Sequence, residues 1–295
     1  MPRERTQQTP VALRRLTTLG VGGEPALYLR PSNGEQLAEA LAECRRRGLR
    51  WRVIGGGSNL LVEGGPLPCA VLHVQSPGFH FLRADGARLH AGAGTATAAL
   101  AAFCRRRGLG GAEWLAGLPG TLGGAVAGNA GAWGHHISEI LTRVRLIDAE
   151  GRARTLSRDE LDFSYRRCGL RGVVLTEVEV QMQPRPPAQV ARRTADYARR
   201  RAESQPLSSA SAGCIFKNPP GECAGRLIDR CGLKGCRVGD AEVSGRHANF
   251  VINRGRATAA DVLRLIDRMR NKVLKRFGVE LELEVRHWLA GPRAA

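Results

Sequence analysis

The stretch SAGCIFKNPPG, residues 211 to 221, sets a thiol three residues from a lysine and four from an asparagine amide. A thiol with its ordinary pKa of about 8.5 is a stronger acid than a hydroxyl and can serve as a proton donor. A small cysteine filling core space is the commoner use of the residue, and the residue types around Cys214 do not by themselves overturn that reading. Two glycine-rich runs carry a second kind of chemistry. IGGGSNLL (54 to 61) lacks a glycine at position 60, which is Leu60, and has no Walker lysine, so it is neither a dinucleotide fingerprint nor a P-loop. Its amides, with Ser58 and Asn59, can converge on an anion, or the run can be a tight strand-to-turn corner. Residues 110 to 134 hold nine glycines together with Pro119, Thr121 and Asn129. That much exposed backbone suits a large phosphate-bearing cofactor lying flat against the main chain. The pair His135 and His136 has no further ligand at a convincing spacing, so no metal is assigned.

The elements that must position these groups follow from periodicity. Residues 34 to 47 and 97 to 107 read as helices ending in arginines, with Gly48 and Gly108 as C-terminal caps. WRVI before the first glycine run reads as a short strand, so the first half mixes strands and helices. In VVLTEVEVQM (173 to 182), Val178, Val180 and Met182 alternate with Glu177, Glu179 and Gln181, the pattern of a half-buried strand. The three prolines of QPRPPAQ (183 to 189) mark the expected domain boundary, giving domains 1–185 and 190–295. Beyond it, the stripe Val262, Ile266, Met269, Val273 and Phe277 predicts the longest helix, and VELELEV (279 to 285) predicts a closing strand.

At 295 residues the chain suits two domains or one large one. It has no run of about 18 uncharged apolar residues, so no membrane span is expected. MPRERTQQTP at the start lacks the apolar segment of a secretory signal, which points to the cytoplasm. The eight cysteines form no C-x-x-C pair and read mostly as free core thiols. A net charge of +18 raises the possibility of a nucleic-acid partner, but the arginines sit at helix ends and no aromatic-rich basic strand or recognition-helix pattern is present. A basic surface attracting a small polyanionic substrate accounts for the charge as well.

Taken in order, LTTLGVGG (16 to 23), VIGGGSNLL (53 to 61), GLPGTLGGAVAGNAGAWG (117 to 134), FSYR (163 to 166), SAGCIFKNP (211 to 219), AGRLIDRCGLKG (224 to 235), VSGRHANFVIN (243 to 253) and LELEV (281 to 285) resemble the UDP-N-acetylenolpyruvoylglucosamine reductase family over nearly the whole chain. The resemblance implies an α+β fold: an FAD-binding domain of the p-cresol methylhydroxylase and vanillyl-alcohol oxidase type, then a smaller substrate domain. It further implies a cytoplasmic enzyme in which NADPH reduces FAD and the flavin reduces an enolpyruvyl ether on a UDP-sugar, making UDP-N-acetylmuramate for peptidoglycan. No nucleic-acid, membrane or obligate protein partner is expected. Another oxidation on the same flavin fold is the competing reading, which the substrate-domain motifs disfavour.

By the same resemblance, Arg166 and Glu284 stabilise an enolate and Cys214 donates the proton to it, where the family's usual donor is serine. The cofactor would lie on Gly55, Gly56, Gly57, Ser58, Asn59 and Leu60, and on Gly117, Pro119, Gly120, Thr121, Gly123, Gly124 and Ala125. Tyr165, Lys217, Asn218, Arg226, His247 and Asn249 are the candidates for substrate contact, and Tyr165 reads equally well as a packing residue. Alternation alone does not choose Glu284 over Glu280 and Glu282.

Overall fold

A computed structural model describes residues 11–291; the stretch MPRERTQQTP lies outside them. The described residues form two compact units, one of 27–56 and 69–200, the other of 11–26, 57–68 and 201–291. No helix among them is long and apolar enough to cross a membrane.

In the first unit, a three-stranded sheet takes the order Glu24–Leu29, Pro66–His73, Trp51–Ile54, and Trp51 pairs in parallel register with Ala70. Helix α1 (Gly34–Arg46) begins where Asn33 accepts a hydrogen bond from the Gln36 amide. Its Leu37, Leu41 and Cys44 pack on Leu27, Leu29, Ala70 and Leu72. A five-stranded antiparallel sheet follows, centred on Val173–Gln181, which pairs with Leu141–Asp148 on one side and Arg88–Gly92 on the other. Val178 and Val180 enter a core with Leu100 and Cys104 of α2 (Thr97–Arg107) and Leu122 and Val126 of α3 (Leu122–Ala127). Glu177 and Glu179 alternate to the opposite face and meet His90 there. As the arginine-glycine run predicts, α2 ends with Gly108 in the left-handed region, its amide on the Cys104 carbonyl.

The prolines of 183–189 do not form a linker between units. Pro187 opens helix α4 (Pro187–Ser204), at a position where the missing N–H costs no helical bond. The division in space is also not a single cut in the chain. Residues 57–68 join the second unit because Leu60–Val62 pairs in parallel with Arg286–Trp288, Leu60 opposite Arg286.

The second unit is built on a four-stranded antiparallel sheet ordered Ala210–Cys214, Phe250–Asn253, Ala241–Val243, Arg237–Val238. Helices α5 (Ala224–Arg230) and α6 (Ala259–Phe277) supply Leu227, Ile228, Val262, Ile266, Met269 and Val273 to its core. Thr258 and Asp261 close the start of α6 as a reciprocal cap, and Gly278, left-handed, ends it. The strand expected at 279–285 is an irregular segment with one isolated bridge, Phe216 to Leu283, and regular pairing starts only at Arg286. Its neighbour runs out, because Pro219 and Pro220 offer no N–H with which to extend a ladder.

None of the eight cysteines is in a disulfide. Cys44, Cys69, Cys104 and Cys168 are buried as core filler, whereas Cys214, Cys223, Cys231 and Cys236 are half-buried. Burial, aided by nearby Glu113, pushes the Cys104 thiol up to about 12.

Glu242 is 4% exposed and takes two hydrogen bonds from Arg254, at 2.6 and 3.0 Å, and one from Arg237. Chiefly through the Arg254 bond, its carboxyl is held below the usual glutamate value. A depressed folded pKa stabilises fully above the unfolded value of about 4.3 and loses that contribution as pH falls through the folded value. Urea midpoints measured from pH 7 down to pH 3 should therefore fall more steeply in the parent than in Glu242→Gln, which starts lower at pH 7. Parallel curves would show that the cluster contributes nothing to acid sensitivity.

Candidate active site

In the first unit, the end of the loop that follows strand Trp51–Ile54 meets the second glycine run. A Cβ on Gly55 would lie 2.4 Å from Thr121 Oγ1, and one on Gly56 would lie 3.0 Å from Gly120 Cα. At Gly55 the Thr121 side chain would have to turn aside, and at Gly56 the Gly120 main chain would have to give by a few tenths of an ångström. Farther along, Gly123 donates to the Ala93 carbonyl at 2.8 Å, and a Cβ on it would lie 2.9 Å from Ala93 Cβ. Thr121 caps α3 by accepting from the Gly124 amide at 3.3 Å, while Ala125 is buried in the core. Gly117 and Gly120 are left-handed, with φ of 69° and 105°, and Pro119 is exposed.

Within the second unit, Gly57 (φ 61°) is pressed against main chain, where a Cβ would lie 1.9 Å from the Leu16 carbonyl oxygen. The Thr18 amide donates to the Gly57 carbonyl at 3.1 Å, and Thr18 Oγ1 donates to the Ser211 carbonyl at 2.6 Å. Thus the LTTLGVGG run supports both a glycine loop and the strand carrying Cys214. Leu60 is buried in its ladder.

Among the described residues, the amides of Gly55, Gly56, Gly57, Ser58 and Asn59 donate to no other group. Five successive uncommitted donors suit an anion, which a plain structural corner does not require. Asn129 adds an acceptor: its Nδ2 donates to the Ser164 carbonyl at 3.0 Å, while Oδ1 is buried and without a hydrogen bond. A buried acceptor left unmet costs about 1–3 kcal/mol, so a ligand that supplies a donor there would be bound more tightly. The two features fit a flavin dinucleotide, whose diphosphate needs donors and whose ring system presents an N–H.

Arg166 lies in the turn of the hairpin Phe163–Ser164 and Arg167–Cys168. It has φ of 57°, a conformation that disfavours a side chain, and its Nη1 donates to the Gly131 carbonyl at 2.8 Å. Asn129 and Trp133 also have positive φ, 41° and 59°. These three non-glycine residues therefore occupy two loops tied together by the Asn129 and Arg166 bonds. Strain of about 1–3 kcal/mol per residue persists where the surroundings enforce it, and it concentrates at functional sites. Tyr165, 47% exposed, lies with the Arg166 guanidinium 5.5 Å from its ring centre. Asn129 and Trp133 were not singled out as site residues from the sequence; the strain that marks them is a tertiary property.

In the second unit, Cys214 ends strand Ala210–Cys214, opposite Phe250, after an irregularity at Gly213 (φ 76°). The next residue, Ile215, donates to the Asn249 carbonyl and accepts from the Glu284 amide, both at 2.8 Å. Cys214 and Glu284 are thus on neighbouring backbone segments, and Asn59 Nδ2 donates to the Glu284 carbonyl at 3.2 Å. Glu284 is half-buried, whereas Glu280 and Glu282 are exposed.

The remaining candidates divide by what holds them. Lys217 forms an ion pair with Glu282. Asn218 Oδ1 accepts from the Ala224 amide at 3.1 Å, fixing the start of α5. Asn249, 2% exposed, clamps Phe216 with both ends of its amide, accepting from the Phe216 nitrogen at 3.0 Å and donating to its carbonyl at 2.8 Å. His247 packs on Phe250 and accepts from the Asn249 amide through Nδ1 at 3.2 Å. Burial first, then the charge of Lys234, lowers its pKa, so the ring is neutral with its proton on Nε2. Arg226 is exposed on α5. Among the described residues no cluster of His, Cys, Asp and Glu could hold a metal.

A sheet-and-helix unit with uncommitted glycine-loop amides fits the class of FAD-binding proteins, and residues 25–157 match the model of the FAD binding domain family. Residues 205–288 match the model described as UDP-N-acetylenolpyruvoylglucosamine reductase, C-terminal domain. Relatives named UDP-N-acetylenolpyruvoylglucosamine reductase include one from Heliobacterium modesticaldum, 44% identical over 95% of this chain and 89% of the relative. Another, from Desulforamulus reducens, is 41% identical over 93% of this chain and 91% of its own length. The crystal structure of the enzyme of that name from Thermus caldophilus superposes with a TM-score of 0.85 at 38% identity, covering 97% of this chain and all of that one. The chain belongs to the UDP-N-acetylenolpyruvoylglucosamine reductase family, and FAD is its cofactor.

Gly56→Val should lower the flavin-to-protein absorbance ratio severalfold while leaving far-ultraviolet circular dichroism unchanged, because a branched side chain would displace the Gly120 main chain and fill the space before the loop amides. Full flavin occupancy in this variant would exclude the loop from the cofactor site.

Proposed function

We propose that the chain reduces the enolpyruvyl ether of UDP-N-acetylglucosamine enolpyruvate to UDP-N-acetylmuramate, with NADPH as reductant, in cytoplasmic synthesis of peptidoglycan precursor. The observation that carries this reading is the backbone bridge between Ile215 and Glu284, which sets a half-buried thiol and a half-buried carboxyl on neighbouring segments. Bound FAD, once reduced by NADPH, supplies the hydride.

The protein's side chains then have two tasks. Addition of hydride to an alkene conjugated with a carboxylate builds negative charge on the carboxylate side, as an enolate of the substrate. The Arg166 guanidinium can pair with that carboxylate through two parallel hydrogen bonds, and its strained backbone fixes the direction of the fork. Glu284 completes the contact in the role of a protonated or hydrogen-bonded carboxyl. Cys214 donates the proton to the adjacent carbon, and the thiol later regains a proton from solvent.

Lys217 is offered to the substrate diphosphate. Its partner Glu282 has a side chain 73% exposed, and an exposed pair is worth only about 0–1 kcal/mol, so a doubly charged ligand can displace that carboxylate readily. Asn249 supports the same segment from behind through Phe216.

The primary test is NADPH oxidation that depends on UDP-N-acetylglucosamine enolpyruvate; a purified, flavin-replete protein with no such activity would defeat the reading. Stopped-flow spectra separate the residues' roles. Arg166→Lys and Glu284→Gln should slow flavin reoxidation by the enolpyruvyl substrate far more than reduction by NADPH, since the enolate forms only in the second half-reaction. Equal slowing of both halves would make these residues structural. Cys214→Ala should lose about 10²- to 10⁴-fold in the second half-reaction, and Cys214→Ser should retain much of it. Parental turnover by the alanine variant would reduce Cys214 to a space filler.

A further inference from the structure

Three polar residues of the first unit, none of them in a catalytic or glycine-rich motif, form a hydrogen-bonded chain. Tyr28 Oη lies 2.6 Å from His73 Nδ1, and His73 Nε2 lies 3.2 Å from Gln75 Oε1. His73 is 7% exposed. The bond at Gln75 sets the direction of the whole chain. An amide oxygen can only accept, so His73 Nε2 carries the ring proton and Nδ1 accepts from the tyrosine hydroxyl. Burial favours the same order: it lowers the His73 pKa, which keeps the ring neutral, and raises the Tyr28 pKa, which keeps the hydroxyl protonated. Gln75 is therefore held with its oxygen toward His73, and its amide nitrogen has no hydrogen-bond partner among the described residues.

The backbone places this residue beside the first glycine loop. Strands Trp51–Ile54 and Pro66–His73 run parallel with Ile54 opposite His73, and the Val74 amide donates to the Ile54 carbonyl at 3.0 Å. Past the carboxyl ends of the two strands, one chain continues through Gly55 and the other through Gln75. On the other side, a Cβ on Gly94 would lie 2.6 Å from the Val74 carbonyl oxygen and 3.2 Å from Gln75 Cα. The neighbours of Gly94, Ala93 and Thr95, accept from the amides of Gly123 and Leu122 at 2.8 and 2.9 Å. Through Ile54 and Gly94 the Gln75 segment is thus tied to both glycine runs. Ligands of parallel sheets lie outside the carboxyl ends of the strands, which is where Gln75 stands.

We propose that Gln75 is a further FAD-binding residue whose amide N–H groups donate to a phosphate oxygen of the dinucleotide, with His73 and Tyr28 as positioning residues that fix which way the amide faces. A glutamine free to turn over would present its oxygen as readily as its nitrogen, and an oxygen repels a phosphate. The chain from Tyr28 removes that choice. The hydroxyls of the neighbouring segment do not serve instead, because Thr95 and Thr97 donate to the carbonyls of Phe81 and Leu118 at 3.0 and 2.6 Å. Their donors are spent within the protein; those of the Gln75 amide are not. The inference concerns the cofactor and is independent of which substrate the flavin reduces.

The test is flavin affinity, read by fluorescence quenching on the full chain after removal of its own flavin, for FAD and for riboflavin, which has the same ring system but no phosphate. Gln75→Leu should raise the Kd for FAD about tenfold or more, the loss expected for a hydrogen bond to a charged group, and leave the Kd for riboflavin at the parental value. Tyr28→Phe should raise the FAD Kd by a smaller factor, and should have no further effect when added to Gln75→Leu, since it acts through that residue. An unchanged FAD Kd in the leucine variant, or an equal loss for FAD and riboflavin, would overturn the proposal. If the leucine variant does not fold, Tyr28→Phe decides by the same comparison: a loss confined to FAD supports the chain, and parental binding of both flavins overturns it. Full flavin content in Gly56→Val would remove the glycine loop from the site without altering a phosphate-dependent loss at Gln75, so the two readings fail separately.

Discussion

The close approach of main chain to main chain at the first glycine loop is the constraint on which the rest of the structure depends. Gly55 and Gly56 lie against Thr121 and Gly120, and Gly57 lies against the Leu16 carbonyl with no room for a side chain. Loops this tight would normally turn their amides toward one another or toward side chains. Here the amides from Gly55 to Asn59 are not spent within the protein, which leaves them open to an anionic ligand. The flanking strands and helices, with their apolar cores, hold that shape against the conformational freedom of three consecutive glycines.

Polar burial divides in a similar way between fold and site. Asn249, Asn218 and the Glu242 cluster have partners within their own unit and act as internal ties. The orphaned Oδ1 of Asn129 and the strained backbones of Asn129, Trp133 and Arg166 are costs that the fold bears without an internal return. Such costs gather at a binding site because the ligand, rather than the protein, relieves them.

A cysteine donor at position 214, as proposed, asks more of its surroundings than a hydroxyl donor would. A serine hydroxyl stays protonated at any physiological pH, so its neighbours need only make it a better acid. A thiol titrates near neutrality, and its protonated fraction depends on the balance between burial and nearby charge. The sheet edge at Cys214 supplies partial burial through the strand pairing with Phe250.

Much of this was legible in the sequence. The arginine-glycine ends of α1 and α2, the apolar stripe of α6 and the alternation in 173–182 are local patterns of period 3.6 or 2, and the structure has each element where its pattern lies. The ordered motifs, read as a set, carried the family and its cofactor. What the sequence left open was every feature decided by a distant segment. The glutamates at 280, 282 and 284 are equivalent by alternation, and only the tertiary structure leaves Glu284 half-buried and the other two exposed. The expected strand at 279–285 lost its partner to Pro219 and Pro220, and the expected cut at 183–189 gave way to a helix and to the insertion of 57–68 into the second unit. Local periodicity encodes which face of an element is apolar; which segment covers that face is a long-range choice made by packing, and so only the tertiary structure decided it.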